Sequence, residues 1–212
     1  MSKKIMLLAL AVASMTMFAL PAASSAQEIH LEGLKKFTGD ATAGSLTATG
    51  QQPITCETGD VEGTVTTGGT TGAISLDFTG CHTSVFGFTA KCRTAGSALD
   101  NTIKTSGTFH MITTGDGPAL MVTTEPVEIV CAGIVNVIVH GDVIGTITSP
   151  KCGVKSNKMT INFAAPGNVQ EHGVYTGVPH VLTVTKEGKS LAAGLNTLTH
   201  TESTEEGTLN CT

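Results

Sequence analysis

Aromatic residues are scarce in this chain, with one Tyr (Tyr175), no Trp and seven Phe among 212 residues. Sugar-binding modules and protein hot spots usually build on Tyr and Trp platforms, so this scarcity disfavours both classes. Positive charge is short as well. Twelve Lys and Arg face 17 Asp and Glu, for a formal charge of −5, which makes nucleic acid and anionic membrane poor partners. Familiar catalytic and metal signatures are missing. There is no GxSxG turn to expose a serine, no HExxH pair, no DxDxDG loop and no CxxC pair. Gly188-Lys189-Ser190 resembles the end of a phosphate loop, but Thr183 stands where the first Gly is required. The expectation is therefore a non-enzyme with no cofactor, no bound metal and no catalytic residue.

What is present begins with an export signal. Lys3 and Lys4 precede an apolar run from Ile5 to Leu20, and Pro21 leads to Ser24-Ser25-Ala26, whose small residues suit a signal peptidase. Residues 1–26 read as a signal peptide, too short in its apolar part to span a bilayer. The protein is expected to be secreted, extracellular or associated with the cell envelope, with no integral membrane anchor after processing. Cleavage leaves ten basic against 17 acidic residues, because only Lys3 and Lys4 depart. Residues 27–41 mix charged and small residues without sustained alternation and read as a flexible leader. Residues 42–212 read as a single all-β domain.

The strand signal is periodic. In AISLDFT at 73–79, Ile74, Leu76 and Phe78 fall on one face and Ser75, Asp77 and Thr79 on the other. VEGTVTT at 61–67 precedes it across a Gly68-Gly69-Thr70-Thr71-Gly72 turn, which predicts an antiparallel hairpin. Similar segments recur at 107–114, 118–124, 127–131, 134–140, 143–148, 159–163, 181–185, 190–193, 195–201 and 208–211, and no helical period runs over about 12 residues beyond the signal. An antiparallel β-sandwich or partly open β-barrel of about 9–11 short strands follows. Ile74, Leu76, Phe78, Val137, Ile161 and Phe163 are its expected core. Stretches 93–106 and 164–179 read as long loops.

The order of ITCETG at 54–59, DFTGC at 77–81, Cys92 before Thr94-Ala95-Gly96, EIVCAG at 128–133, HGDVIGTI at 140–147 and NKMTINF at 157–163 resembles a group of secreted β-rich bacterial proteins of high-GC Gram-positive lineages. The resemblance covers most of the mature chain. Its motifs are strand ends, turns and cysteines, so it brings no catalytic residue with it. The group's pattern has four cysteines, and Cys152 and Cys211 look like additions, which implies that they pair with each other. All six Cys (56, 81, 92, 131, 152 and 211) lie beyond the signal, and an even count in an exported chain reads as disulfides. Cys81 and Cys92 enclose a short loop and are expected to form a local clip, leaving Cys56 for Cys131. The rival is Cys56 with Cys81, which flank the 61–79 hairpin.

Two polar groupings are candidate ligand-binding sites. His140 and Asp142 flank Gly141 at a strand end, where they form either a site or a β-bulge, and the bulge is the favoured reading. Glu171, His172, Tyr175 and His180 lie with Gln170 in the 164–180 stretch, where two His and a Glu suit a metal but solvent-exposed loop polarity explains them more simply. Thr pairs such as Thr183/Thr185 and Thr197/Thr199 suggest a flat hydroxyl array, yet β propensity on a solvated face accounts for them. The expected role is non-catalytic binding or structural, with an unidentified cell-surface or extracellular protein as the partner class left open. The alternative is a secreted hydrolase using the 164–180 loop.

Overall fold

The computed structural model describes residues 29–175 and 178–211, and the expected signal peptide lies outside them. Among these residues there is no α-helix, and 15 strands join one antiparallel sheet. After β1 (Ile29–Glu32) the chain lays down eight staves that run alternately up and down. β2 (Lys36–Ala41) continues upward as β3 (Gly44–Ala48), and β4 (Ile54–Cys56) continues downward as β5 (Thr58–Val65). β6 (Thr71–Thr79) leads up to β7 (His82–Val85), and β8 (Phe88–Thr94) leads down through a loop to β9 (Ile103–Thr114). β10 (Gly117–Cys131) and β11 (Val135–Ser149) are single long strands. β12 (Lys155–Phe163) and β14 (Val178–Lys186) make the seventh stave, with β13 (Glu171–Tyr175) hairpinned onto β14, and β15 (Lys189–Cys211) is the eighth.

These staves close into a ring at two levels. In the lower half β2, β5, β6, β9, β10, β11, β12 and β15 pair in that order, and β15 returns to β2 through Thr199 opposite Ala41. In the upper half β3, β4, β7, β8, β10, β11, β14 and β15 repeat the order, and Ala193 opposite Ala48 seals the seam. The expected all-β antiparallel architecture is present in its barrel form. Segments 118–124 and 127–131 prove to be one strand, β10, interrupted by a bulge. Glu125 and Pro126 together oppose His140, and a bulge is where a strand tolerates proline. The bulge expected at His140-Gly141-Asp142 thus exists at that level, with the extra residue on β10.

The alternation sends apolar residues inward and polar ones outward. All six expected core residues are buried. The outer face of β5 carries Thr58, Asp60, Glu62 and Thr64, and that of β9 carries Lys104, Ser106, Thr108 and His110. A barrel that spans a membrane has the opposite polarity.

The lower half is filled by four phenylalanines, each facing a glycine on the neighbouring strand. Phe37 is paired with Gly63, Phe78 with Gly59, Phe109 with Gly72 and Phe163 with Gly145. A Cβ added at Gly63 would stand 2.1 Å from the Phe37 ring, and one at Gly72 would stand 2.4 Å from Phe109. An eight-stranded barrel is only just wide enough for side chains, so the rings fit because their cross-strand partners have none. Residues 29–41, expected as a flexible leader, are β1 and β2. Ile29, Leu31, Leu34 and Phe37 are buried there, and β1 pairs with the end of β15 while the Leu31 N–H donates to the Gly69 carbonyl at 2.9 Å. This segment covers the bottom of the barrel. The sequence misled because the apolar residues of 29–37 are spaced 2, 3 and 3 apart, which breaks strict alternation.

Two further expectations are corrected. Thr197 and Thr199 do not lie on a solvated face: both are buried with Thr201, and Thr199 and Thr201 donate to the carbonyls of Ile161 and Met159. Hydrogen bonds to carbonyls of the neighbouring strand β12 let these β-branched hydroxyl residues sit in the core. The disulfides are Cys56–Cys81, Cys92–Cys131 and Cys152–Cys211. The last pair is as expected; Cys81–Cys92 and Cys56–Cys131 are not formed. Cys56, Cys81, Cys92 and Cys131 lie in one row across β4, the start of β7, β8 and β10. Clipping the middle two would leave the outer two three strand spacings apart, about 14 Å, well beyond what a disulfide spans.

Candidate functional site

Of the candidates, the fold brings Asp142 and His180 together across 38 residues of sequence. His140 and Asp142 lie on the outer face of β11, and β14 runs alongside with Thr183 opposite His140. Asp142 Oδ2 meets His180 Nδ1 at 2.5 Å, and the Thr123 hydroxyl donates to the other carboxylate oxygen at 2.6 Å. Both carboxylate oxygens are thus engaged, with only 18% of the Asp142 side chain and 13% of His180 exposed. Glu171, His172 and Tyr175 belong to β13, and in register they face Val181, His180 and Val178; their side chains lie outside the described residues. His172 and His180 are therefore direct cross-strand neighbours. His140, two residues before Asp142 on the same face, is half-buried.

Chemically, the carboxylate orients the imidazole and the threonine orients the carboxylate. The hydroxyl of Thr123 is spent on Asp142, whereas a nucleophile has to sit on the imidazole itself. The three groups tie β10, β11 and β14 together at the level of the bulge. Among the described residues no three His, Cys, Asp or Glu side chains are grouped to hold a metal ion. Gln170, read as exposed loop polarity, is buried: its amide donates to the Ile144 carbonyl at 2.8 Å and its carbonyl accepts from the Leu195 N–H at 3.2 Å. It fills the gap that β12 and β14 leave between β11 and β15.

The second region lies at the top of the barrel and carries no signature in the sequence. The hairpins β3–β4, β7–β8, β10–β11 and β14–β15 all turn at this end. Three of them use a residue with positive φ followed by glycine: Phe86-Gly87, Ala132-Gly133 and Glu187-Gly188. That is the geometry of the type I′ turn, which usually selects Asn or Asp first. Phe86 departs from this code, which is why the stretch between Cys81 and Cys92 reads as a loop rather than a hairpin. Phe86 is 91% exposed, Phe88 78% and Ile134 66%, so the rim is apolar.

Inside the rim the barrel is not filled. A cavity of about 200 Å³ is walled by Leu46, Ala48, Ile54, Val137 and Val184 together with the polar Gln51, Gln52, Thr83 and Ser84. A second, of about 70 Å³, lies deeper and shares Leu46 and Ile54 with the first. Val139, Val143 and Leu182 line it and Phe78 contributes to its wall. One charged side chain, Lys186, lines the upper cavity. It follows the buried Leu182 and Val184 on the inner face of β14 and donates to Gln51 Oε1 at 3.0 Å across the mouth.

Comparison of the chain with protein-family models, with curated proteins and with solved structures finds no match.

Proposed function

We propose that this chain is a secreted, non-catalytic binding protein whose barrel mouth receives a small apolar molecule. The observation that carries the reading is the hollow upper half, open between four hairpin tips, apolar in its deeper part and lined above by aliphatic side chains with a few polar ones. Binding sites are typically concave, mostly apolar and furnished with few polar groups, and barrel mouths are a common place for them. The volume sets the class. An apolar cavity of about 150 Å³ holds a benzene-sized molecule, so these spaces suit a single slender chain rather than a fused-ring compound. Export is supported by the Lys3-Lys4 and Ile5–Leu20 signal pattern and by three disulfides that use every cysteine.

The test is calorimetric titration of the mature protein with 1-decanol, beside a Val137→Phe variant that fills the mouth. Saturable binding that Val137→Phe removes is the expected result. The hydrolase alternative rests on the Asp142–His180 pair. Hydrolysis of p-nitrophenyl butyrate that His180→Asn abolishes would favour it instead.

A further inference from the structure

The position of Lys186 says more about the ligand than the cavity alone does. It is the last residue of β14, and the alternation of Leu182, Val184 and Lys186 places it on the inner face, where it shares the mouth with aliphatic Val137 and with the uncharged polar Gln51, Gln52, Thr83 and Ser84. A lysine there gives up hydration and side-chain entropy that an outward position would keep. Its hydrogen-bond partner is the neutral side-chain carbonyl of Gln51, which satisfies one of three N–H donors and none of the charge. Among the described residues no carboxylate forms an ion pair with it. Glu187, the next residue, is exposed at the turn.

We infer that the mouth is built for a single-chain amphiphile with an anionic head group, whose head meets Lys186 and whose tail descends past Leu46 and Ile54 toward Phe78. This rests on the apolar-ligand reading above and adds the head group to it. The cation and the aliphatic walls act on different parts of one molecule. The walls accept any slender apolar chain, whereas Lys186 discriminates by charge, gaining a charge-assisted hydrogen bond that a neutral alcohol forms less strongly and a cationic head is repelled from. Gln51, on the β3–β4 hairpin, holds the ammonium over the opening rather than letting it swing into solvent.

The experiment compares decanoate, decyl sulfate, decanol and decyltrimethylammonium, each below its critical micelle concentration, on the wild type, Lys186→Gln and Val137→Phe at pH 8. Decanoate and decyl sulfate should bind about tenfold or more tighter than decanol, the effect of one charge-assisted hydrogen bond. The cationic amphiphile should bind weakest. Lys186→Gln should remove the preference and leave decanol unchanged, and thermal melting checks that both variants fold. A gain for decanoate but not decyl sulfate would narrow the head to a carboxylate and still support the inference. Equal binding of decanoate and decanol to the wild type, or a preference that survives Lys186→Gln, overturns the head-group assignment while the cavity stands. If none of the four binds, or if Val137→Phe weakens none of them, the cavity reading falls with it. Val184→Phe, from the neighbouring strand β14, serves as the second mouth-filling variant should Val137→Phe not fold.

Discussion

The upper and lower halves of the barrel use the same eight staves, and they differ in what lies along the axis. Below, four phenylalanine rings lie across glycines; above, valines, leucines and isoleucines stop short of one another and leave space. A ring of given strand number has a roughly fixed bore, so filling or emptying it is decided by side chains alone. The difference teaches that glycine here is a packing residue. Gly63 and Gly72 have ordinary strand conformations, and what they provide is room for a neighbour's ring. The walls differ too. Above, the row Cys56, Cys81, Cys92 and Cys131 is covalently clipped in two pairs. Below, the outer row Asp40, Asp60 and Asp77 sets like charges side by side.

The largest effect should come from emptying the full half. Phe163→Ala removes a ring that is 1% exposed and should cost about 3–5 kcal/mol, read as a fall in urea midpoint. Thr160→Ala, on the outer face of the same strand, should move the midpoint far less. Equal shifts would mean that the lower half is not packed as described.

Adding a methyl group sharpens the contrast. Gly63→Ala forces a Cβ into the Phe37 ring and should cost about 1–3 kcal/mol, part of it regained in the Gly63→Ala, Phe37→Leu double variant. Val143→Ile points its extra methyl at the deeper cavity and should stay within about 1 kcal/mol of the wild type or stabilise it. If Val143→Ile is the more damaging of the two, the halves are equally full. The smallest effect concerns the outer row. Asp77 is offset by its ion pair with Lys104, so the uncompensated contact is Asp40 opposite Asp60. Asp60→Thr should stabilise by about 0.2–1 kcal/mol, and the gain should shrink in 1 M salt, where screening already quiets the repulsion.

Local pattern carried much of this fold. The alternation at 73–79 predicted the inward residues of β6, and the glycine turn before it predicted the β5–β6 hairpin. What stayed hidden was set by contacts distant in sequence. Asp142 meets His180 only because β11 and β14 are neighbours in the closed ring, and Lys186 becomes an inward charge only because β14 keeps its alternation to the last residue. The row of four cysteines was unreadable for a related reason: once β7–β8 is taken for a loop, Cys81 and Cys92 appear to face each other across it. Thr197, Thr199 and Thr201 show the limit of residue preference, since the partner carbonyls of β12 that let Thr199 and Thr201 go inside are about 40 residues away.

The seam between the first and last staves bears on how the molecule comes into being. Thr197 donates to the Thr42 carbonyl across 155 residues of sequence, and nothing earlier in the chain can take its place. Until β15 arrives, the other seven staves form an open sheet with two free edges, β2 and β3 on one side and β12 and β14 on the other, each a template for another chain. Such long-range closure is intrinsically slow. An emerging polypeptide would therefore hold its adhesive edges unprotected until β15 is delivered, and Cys211, within three residues of every other β1 partner on β15, locks the finished ring to Cys152.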